Sequence, residues 1–124
     1  MREALRYLQN AKEILKSTSI EGGAYTDIKP VRKAFGIAYL AMLEAINEAL
    51  LKRGLSKKEL PESVDAYREA LKKHLAIRNG KLMREFEKLY DEIHIAGYYR
   101  GLLHDVNAIK EILKSAGSFI GKIG

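Results

Sequence analysis

Residues 34–43 read AFGIAYLAML, a run without a charged side chain in a chain of which 31% is charged. Extended outward to residues 30–53, the segment repeats apolar side chains at Val31, Phe35, Ala38, Met42, Ile46 and Ala49. A second row follows at Ala34, Ile37, Tyr39, Ala41, Ala45 and Leu50. Spacings of three and four describe a helix that is apolar around most of its circumference, and such a helix is normally covered on several sides by others. The segment is therefore the expected centre of a helical bundle.

The flanking sequence supplies the cover. Arg2–Lys16 carries the stripe Leu5, Leu8, Ala11 and Leu15, widened by Ala4 and Ile14, which predicts an amphipathic helix of about four turns. Gly22 and Gly23 stop any continuation and predict a flexible loop. Thr26 or Asp27 is placed to cap the central helix, and Pro30 suits its first turn. Lys52, Arg53 and Gly54 mark its end. Ser56 and Glu59 have capping-box spacing, but Pro61 limits that segment to one turn. A third helix is predicted from Glu62 or Ser63, with Val64, Tyr67, Leu71 and Leu75 on one face, closing at the Asn79-Gly80 turn signal. A fourth, over residues 81–96, presents Leu82, Phe86, Leu89 and Ile93 beside Met83 and Tyr90, and Gly97 is read as its stop. The last helix uses Leu102 or Leu103, Val106, Ile109, Leu113, Ala116 and Ile120, with a frayed tail. No stretch alternates with period two, so no strand is expected. The predicted fold class is all-α, an up-and-down four-helix bundle with a short fifth helix or helical turn, forming a single domain over residues 1–124.

Composition removes several chemistries. With no cysteine among 124 residues, disulfides, thiolate metal sites and thiol nucleophiles are excluded. The N-terminus is charged throughout, unlike a signal peptide. The longest uncharged run is about half the roughly 20 residues that cross a bilayer. No membrane association and a cytoplasmic setting are the expectation. A net charge of +6 permits phosphate-rich partners, but acidic residues are interspersed along most helices, which describes a solvated mixed-charge surface.

Of the three histidines, His74, His94 and His104, no two have the i, i+4 spacing of a helix-borne metal site. Neither HExxH nor a glycine-rich phosphate loop is present, so no metal and no cofactor is expected. Glu44 and Glu48 stand one turn apart as in carboxylate metal clusters, but the Glu-x-x-His ligands on partner helices are missing. With Asn47 they read as the solvent-facing strip of the central helix. The segment Tyr98-Tyr99-Arg100-Gly101 is different. Its tyrosine faces can stack on bases and its guanidinium can grip phosphate, and the same residue types anchor protein interfaces. His94, Tyr98, Tyr99, Arg100 and His104 are the candidate ligand or interface residues; none is assigned a catalytic role.

In order and spacing these pieces resemble the HEPN domains (higher eukaryotes and prokaryotes nucleotide-binding). The resemblance runs over residues 2–120. It is carried by YLQNAKEIL, by RKAFGIAYLAMLEAINEALLKRGL and by RNGKLMREFEKLYDEIHIAGYY. In the long middle stretch Ala34, Ala38, Tyr39, Ala41, Ala45, Ala49, Leu50, Leu51 and Gly54 sit as in the central family helix. Many members of that family are metal-independent ribonucleases whose motif sets an arginine several residues before a histidine followed by Gly-Tyr. Here Gly97-Tyr98 is kept, but Asp91 stands at the arginine position and Ala96 at the histidine position. Asp91 and Glu92 would repel a phosphate. The resemblance thus implies a non-catalytic bundle. It also implies a homodimer, since members commonly dimerise through the helix surfaces near that motif, or a protein partner, since some pair with a small nucleotidyltransferase in two-gene modules of the toxin-antitoxin kind. The alternative is an RNA- or nucleotide-binding protein, or a residual ribonuclease, using Tyr98 to His104.

Overall fold

The computed structural model describes residues 2–76 and 80–123. In chain order it places α1 (Arg2–Lys16), β1 (Ile20–Glu21), β2 (Ala24–Tyr25), α2 (Ile28–Lys52), α3 (Val64–Ala70), α4 (Gly80–Leu89) and α5 (Val106–Ile123). A 3-10 turn at Lys57–Glu59 precedes α3, and α3 and α4 each run on into a π-helical segment, Leu71–Leu75 and Tyr90–Tyr99. The protein is an all-α helical bundle. The Asn79 half of the expected Asn79-Gly80 turn lies outside the described residues.

Asp27 is the residue that starts α2. Its backbone is extended and its Oδ1 accepts from the Lys29 amide at 3.1 Å, which satisfies one of the orphan donors of the first turn. After the 25 residues of the helix Arg53 closes it, its amide bonding back to Ala49, Leu50 and Leu51. Ten α2 residues are buried, among them Val31, Phe35, Met42, Ile46 and Leu50. Each such large side chain contributes roughly 1.5–3 kcal/mol of burial. The cover comes from α1, the Tyr90–Tyr99 segment and α5, with lesser contacts from α3 and the Leu71–Leu75 segment. The length and composition of α2 would also suit a membrane span, but half of its most apolar window is covered by these neighbours, as in the core helix of a bundle.

Four expectations are corrected. First, Leu5 does not join the α1 core: it is 51% exposed, and the buried row is Ala4, Leu8, Ala11 and Leu15. Second, residues 20–25 form a two-stranded antiparallel hairpin in place of a flexible loop, pairing Ile20 with Tyr25 and Glu21 with Ala24. Its two-residue turn needs positive φ at both positions, which Gly22 (57°) and Gly23 (79°) supply. Third, Gly97 does not end the fourth helix, which continues as a π-helix to Tyr99. Fourth, the last helix starts at Val106, capped by Asp105 Oδ2 accepting from the Ala108 amide at 2.8 Å. Leu102 is left 57% exposed, and the expected frayed tail is helical as far as the buried Ile123.

The connector before α5 is tied to the hairpin. Tyr25 donates its amide to the His104 carbonyl and Val106 donates to the Gly23 carbonyl, both at 2.9 Å. These bonds hold the end of the Tyr90–Tyr99 segment and the start of α5 at one end of the bundle.

Candidate functional site

The Tyr90–Tyr99 segment decides where the candidate residues go. Its hydrogen bonds run i→i+5, as from the Arg100 amide to the Ile95 carbonyl at 2.8 Å, and side chains four apart stay on one face. Phe86, Tyr90, His94 and Tyr98 accordingly form a column of rings, with centroids 6.4, 5.4 and 5.9 Å apart in sequence. Tyr39 of α2 completes it by stacking on His94 at 4.2 Å. Arg68 reaches the column from α3, its guanidinium 5.0 Å from the Tyr90 ring centroid. That guanidinium is already bound to Glu87 by two bonds of 2.8 and 3.0 Å and to Asp65 at 2.8 Å.

His94 is therefore an aromatic-column residue. Burial pushes its imidazole below the usual 6.5, and its Nδ1 is buried without a hydrogen-bond partner among the described residues. Tyr39 is shifted the other way, up to about 12, by burial first and then by the neighbouring Tyr90 and Tyr67 hydroxyls. Both shifts favour the neutral form of the group.

The segment is locked onto α2 by reciprocal glycine contacts. A Cβ on Gly36 would stand 2.9 Å from the Tyr98 ring, and one on Gly97 would stand 2.5 Å from the Phe35 ring. Each glycine lets an aromatic of the other element lie against backbone. Arg32 adds a polar clamp, donating from Nε to the Tyr98 carbonyl and from Nη2 to the Tyr99 carbonyl, both at 2.8 Å. These carbonyls are at the open end of the segment, where a cation also complements the helix dipole.

The structure brings together His94 and Tyr98 of the predicted site and leaves the rest apart. Tyr99 is 70% exposed, Arg100 is exposed on the connector, and no hydrogen bond or ring contact links Arg100 to His104 among the described residues. His104 is exposed and serves the fold through its carbonyl. Glu44, Asn47 and Glu48 are half-buried, and Asn47 Oδ1 accepts from the Tyr67 hydroxyl at 3.0 Å, so the expected solvent strip is partly covered by α3. Among the described residues no cluster of histidine and carboxylate groups is arranged to hold a metal ion.

Sequence reasoning missed Arg32, Gly36, Leu40 and Arg68. Gly36 carried a signal, because a glycine in the middle of an apolar helix usually marks a close approach. Leu40 is 52% exposed on the same stripe of α2 as Gly36, with Leu43 one turn further on. With the 43% exposed Tyr98 lying on Gly36, they make one apolar surface across α2 and the π-helical segment.

The family model named Domain of unknown function (DUF5618) matches residues 1–124, and the chain belongs to that family. A solved structure, described as a protein of unknown function from Dyadobacter fermentans, is similar at 30% identity with a TM-score of 0.78. The match covers 98% of this chain and 89% of that one. No curated protein matches the chain.

Proposed function

We propose that the protein is a non-catalytic helical interaction module that pairs with a second copy of itself through the outer stripe of α2. The observation that carries this reading is the exposure of Leu40, at 52%, in the middle of the most apolar helix of the bundle, next to Gly36 and Tyr98. A two-fold interface must be self-complementary, so that residue i meets j and j meets i. An antiparallel pairing of two α2 helices about Leu40 meets that condition. It sets Leu40 on Leu40, Ile37 near Leu43, and the exposed Lys33 near Glu44 and Asn47 of the second copy. At 1.5 Å per residue α2 is about 37 Å long, and the exposed Tyr98 on its flank widens the strip offered to a second copy. The likeness to HEPN domains, with Asp91 and Ala96 in place of the ribonuclease pair, supports a binding role in the same direction.

Sedimentation equilibrium over a dilution series tests the reading. A dimer dissociating in the micromolar range or below is expected, and a monomer at ~100 µM overturns it. A nucleotidyltransferase-like protein occupying the same face in place of a second copy would be found as a fixed heterologous complex.

A second reading follows from the 70% exposed Tyr99 ring beside the exposed Arg100, which offers a base-stacking face and a phosphate contact on a chain of net charge +6. It requires binding of single-stranded RNA that strengthens at low salt and weakens with Tyr99→Ala. No binding of an oligouridine probe at ~50 mM salt removes it.

A further inference from the structure

Between α1, the hairpin and α5 lies a pocket of about 400 Å³ that no part of the proposed dimer face touches. Its walls are Leu15 and Leu113, both buried core residues, with Ile20, 53% exposed at the mouth. Three lysines, Lys12, Lys16 and Lys110, complete the lining, and no carboxylate lines it. None of the three is engaged in an ion pair among the described residues, and all are exposed. Lys12 and Lys16 are four apart on α1, so their ammonium groups share one side of the opening. Lys122, by contrast, is paired with Glu85 at 2.7 Å. Three cations converging on an apolar cleft without a counter-charge are a different arrangement.

Tyr25 is the second observation. The residue is only 6% exposed, lines this pocket, and its hydroxyl is hydrogen-bonded to no described residue. That hydroxyl is open to the pocket, where a ligand oxygen can take it as a partner. The hairpin explains how Tyr25 comes to be there. Gly22 and Gly23 turn the chain back so that Ile20 and Tyr25 stand opposite each other over the α1–α5 seam.

We propose that this pocket binds a free anionic amphiphile, a medium-chain carboxylate, with the chain against Leu15, Leu113 and Ile20. The head is held by the lysines and by the Tyr25 hydroxyl. The volume falls within the range of small-molecule sites, and apolar walls with a few converging polar groups are their usual construction. Charge selects the head group, since three uncompensated ammonium groups favour an anion over an alcohol of the same length. Chain burial sets the affinity. Each methylene added between hexanoate and decanoate should tighten binding about three- to four-fold until the pocket is filled.

The test is a titration of the full chain with decanoate below its micelle concentration, followed by chemical-shift changes and calorimetry, beside decanol and beside vesicles containing phosphatidylglycerol. Expected are shifts confined to Leu15, Ile20, Tyr25 and Leu113, and affinity for decanoate at least tenfold above that for decanol. The triple variant Lys12→Gln, Lys16→Gln, Lys110→Gln should lose at least tenfold while its melting temperature is unchanged, and Tyr25→Phe should lose a further few-fold. Equal affinity for decanol, shifts spread over the whole protein, or a triple variant that binds as before would overturn the proposal. So would binding to anionic vesicles with none to the free carboxylate, which would make the cleft part of a membrane-facing surface. Self-association can fail its own test without affecting any of these outcomes, because α2's outer stripe contributes nothing to the pocket.

Discussion

The Phe35 ring lies directly against the backbone of Gly97, so close that a Cβ on Gly97 would stand 2.5 Å from the ring. Phe35 is 1% exposed and has no free direction in which to yield. Gly97→Ala should therefore cost about 1–3 kcal/mol through overpacking, read as a shift in the urea midpoint. Phe35→Leu alone creates a void and destabilises as well. The pair together should be less damaging than the sum of the two, a coupling that a double-mutant cycle measures. Additive effects would mean that the two residues do not share this contact.

That contact also shows why Gly97 was misread. A glycine at the end of a periodic segment is ordinarily a C-cap, and sequence alone gives that meaning to Gly97; here it is a place where a ring of α2 meets the backbone. The buried rows of α2 were legible because burial on several sides leaves an apolar pattern that no other element produces. The α1 core was legible at Leu8, Ala11 and Leu15, and only its first position differs. Ala4 and Leu5 both fit the spacing, and the smaller side chain is the one held inside. The hairpin was hidden by its brevity, since strands of two residues cannot display alternation, although Gly22-Gly23 is itself a hairpin-turn signal. The ring column was partly legible, because Phe86, Tyr90, His94 and Tyr98 recur every four residues and side chains four apart share a helix face. The continuation of the segment as a π-helix past Gly97 was not.

Arg32 holds the end of that widened segment. Arg32→Ala removes both bonds to the Tyr98 and Tyr99 carbonyls and should cost about 1–2 kcal/mol, discounted for the exposure of the side chain. Arg32→Lys should not restore it, because one ammonium cannot reproduce a fork reaching two carbonyls. Hydrogen exchange checks the location. Faster exchange should be confined to the amides of residues 98–102, and a uniform acceleration across all five helices would contradict a local clamp.

His94 gives the protein a pH dependence with a definite sign. Burial holds its folded pKa below 6.5, so the unfolded chain takes up a proton before the folded one does. Stability from this group is fully present above pH 6.5 and is lost as pH falls from there through the lower, folded value. His94→Phe keeps a ring between Tyr39 and Tyr98 and removes the titration. In chemical denaturation across pH 7.5 to 5 the wild type should weaken relative to this variant; parallel curves would show that His94 carries no such linkage.

The proposed pairing through α2 makes the sharpest demand on a single side chain. In an antiparallel pair about Leu40 every substitution enters twice, and Leu40→Glu brings two carboxylates together at the axis. Association should weaken by more than a hundredfold. Because Leu40 is 52% exposed, the stability of the separated monomer should stay within about 0.5 kcal/mol of the wild type. Leu5→Glu is the matched control, since Leu5 is 51% exposed on α1 and has no place in that pairing. It should leave the dilution curve where it was. Lys33→Glu should weaken association by setting like charges opposite Glu44, and the exchange Lys33→Glu with Glu44→Lys should recover most of it. If Leu5→Glu and Leu40→Glu act alike in sedimentation, the contact between copies lies elsewhere on the bundle.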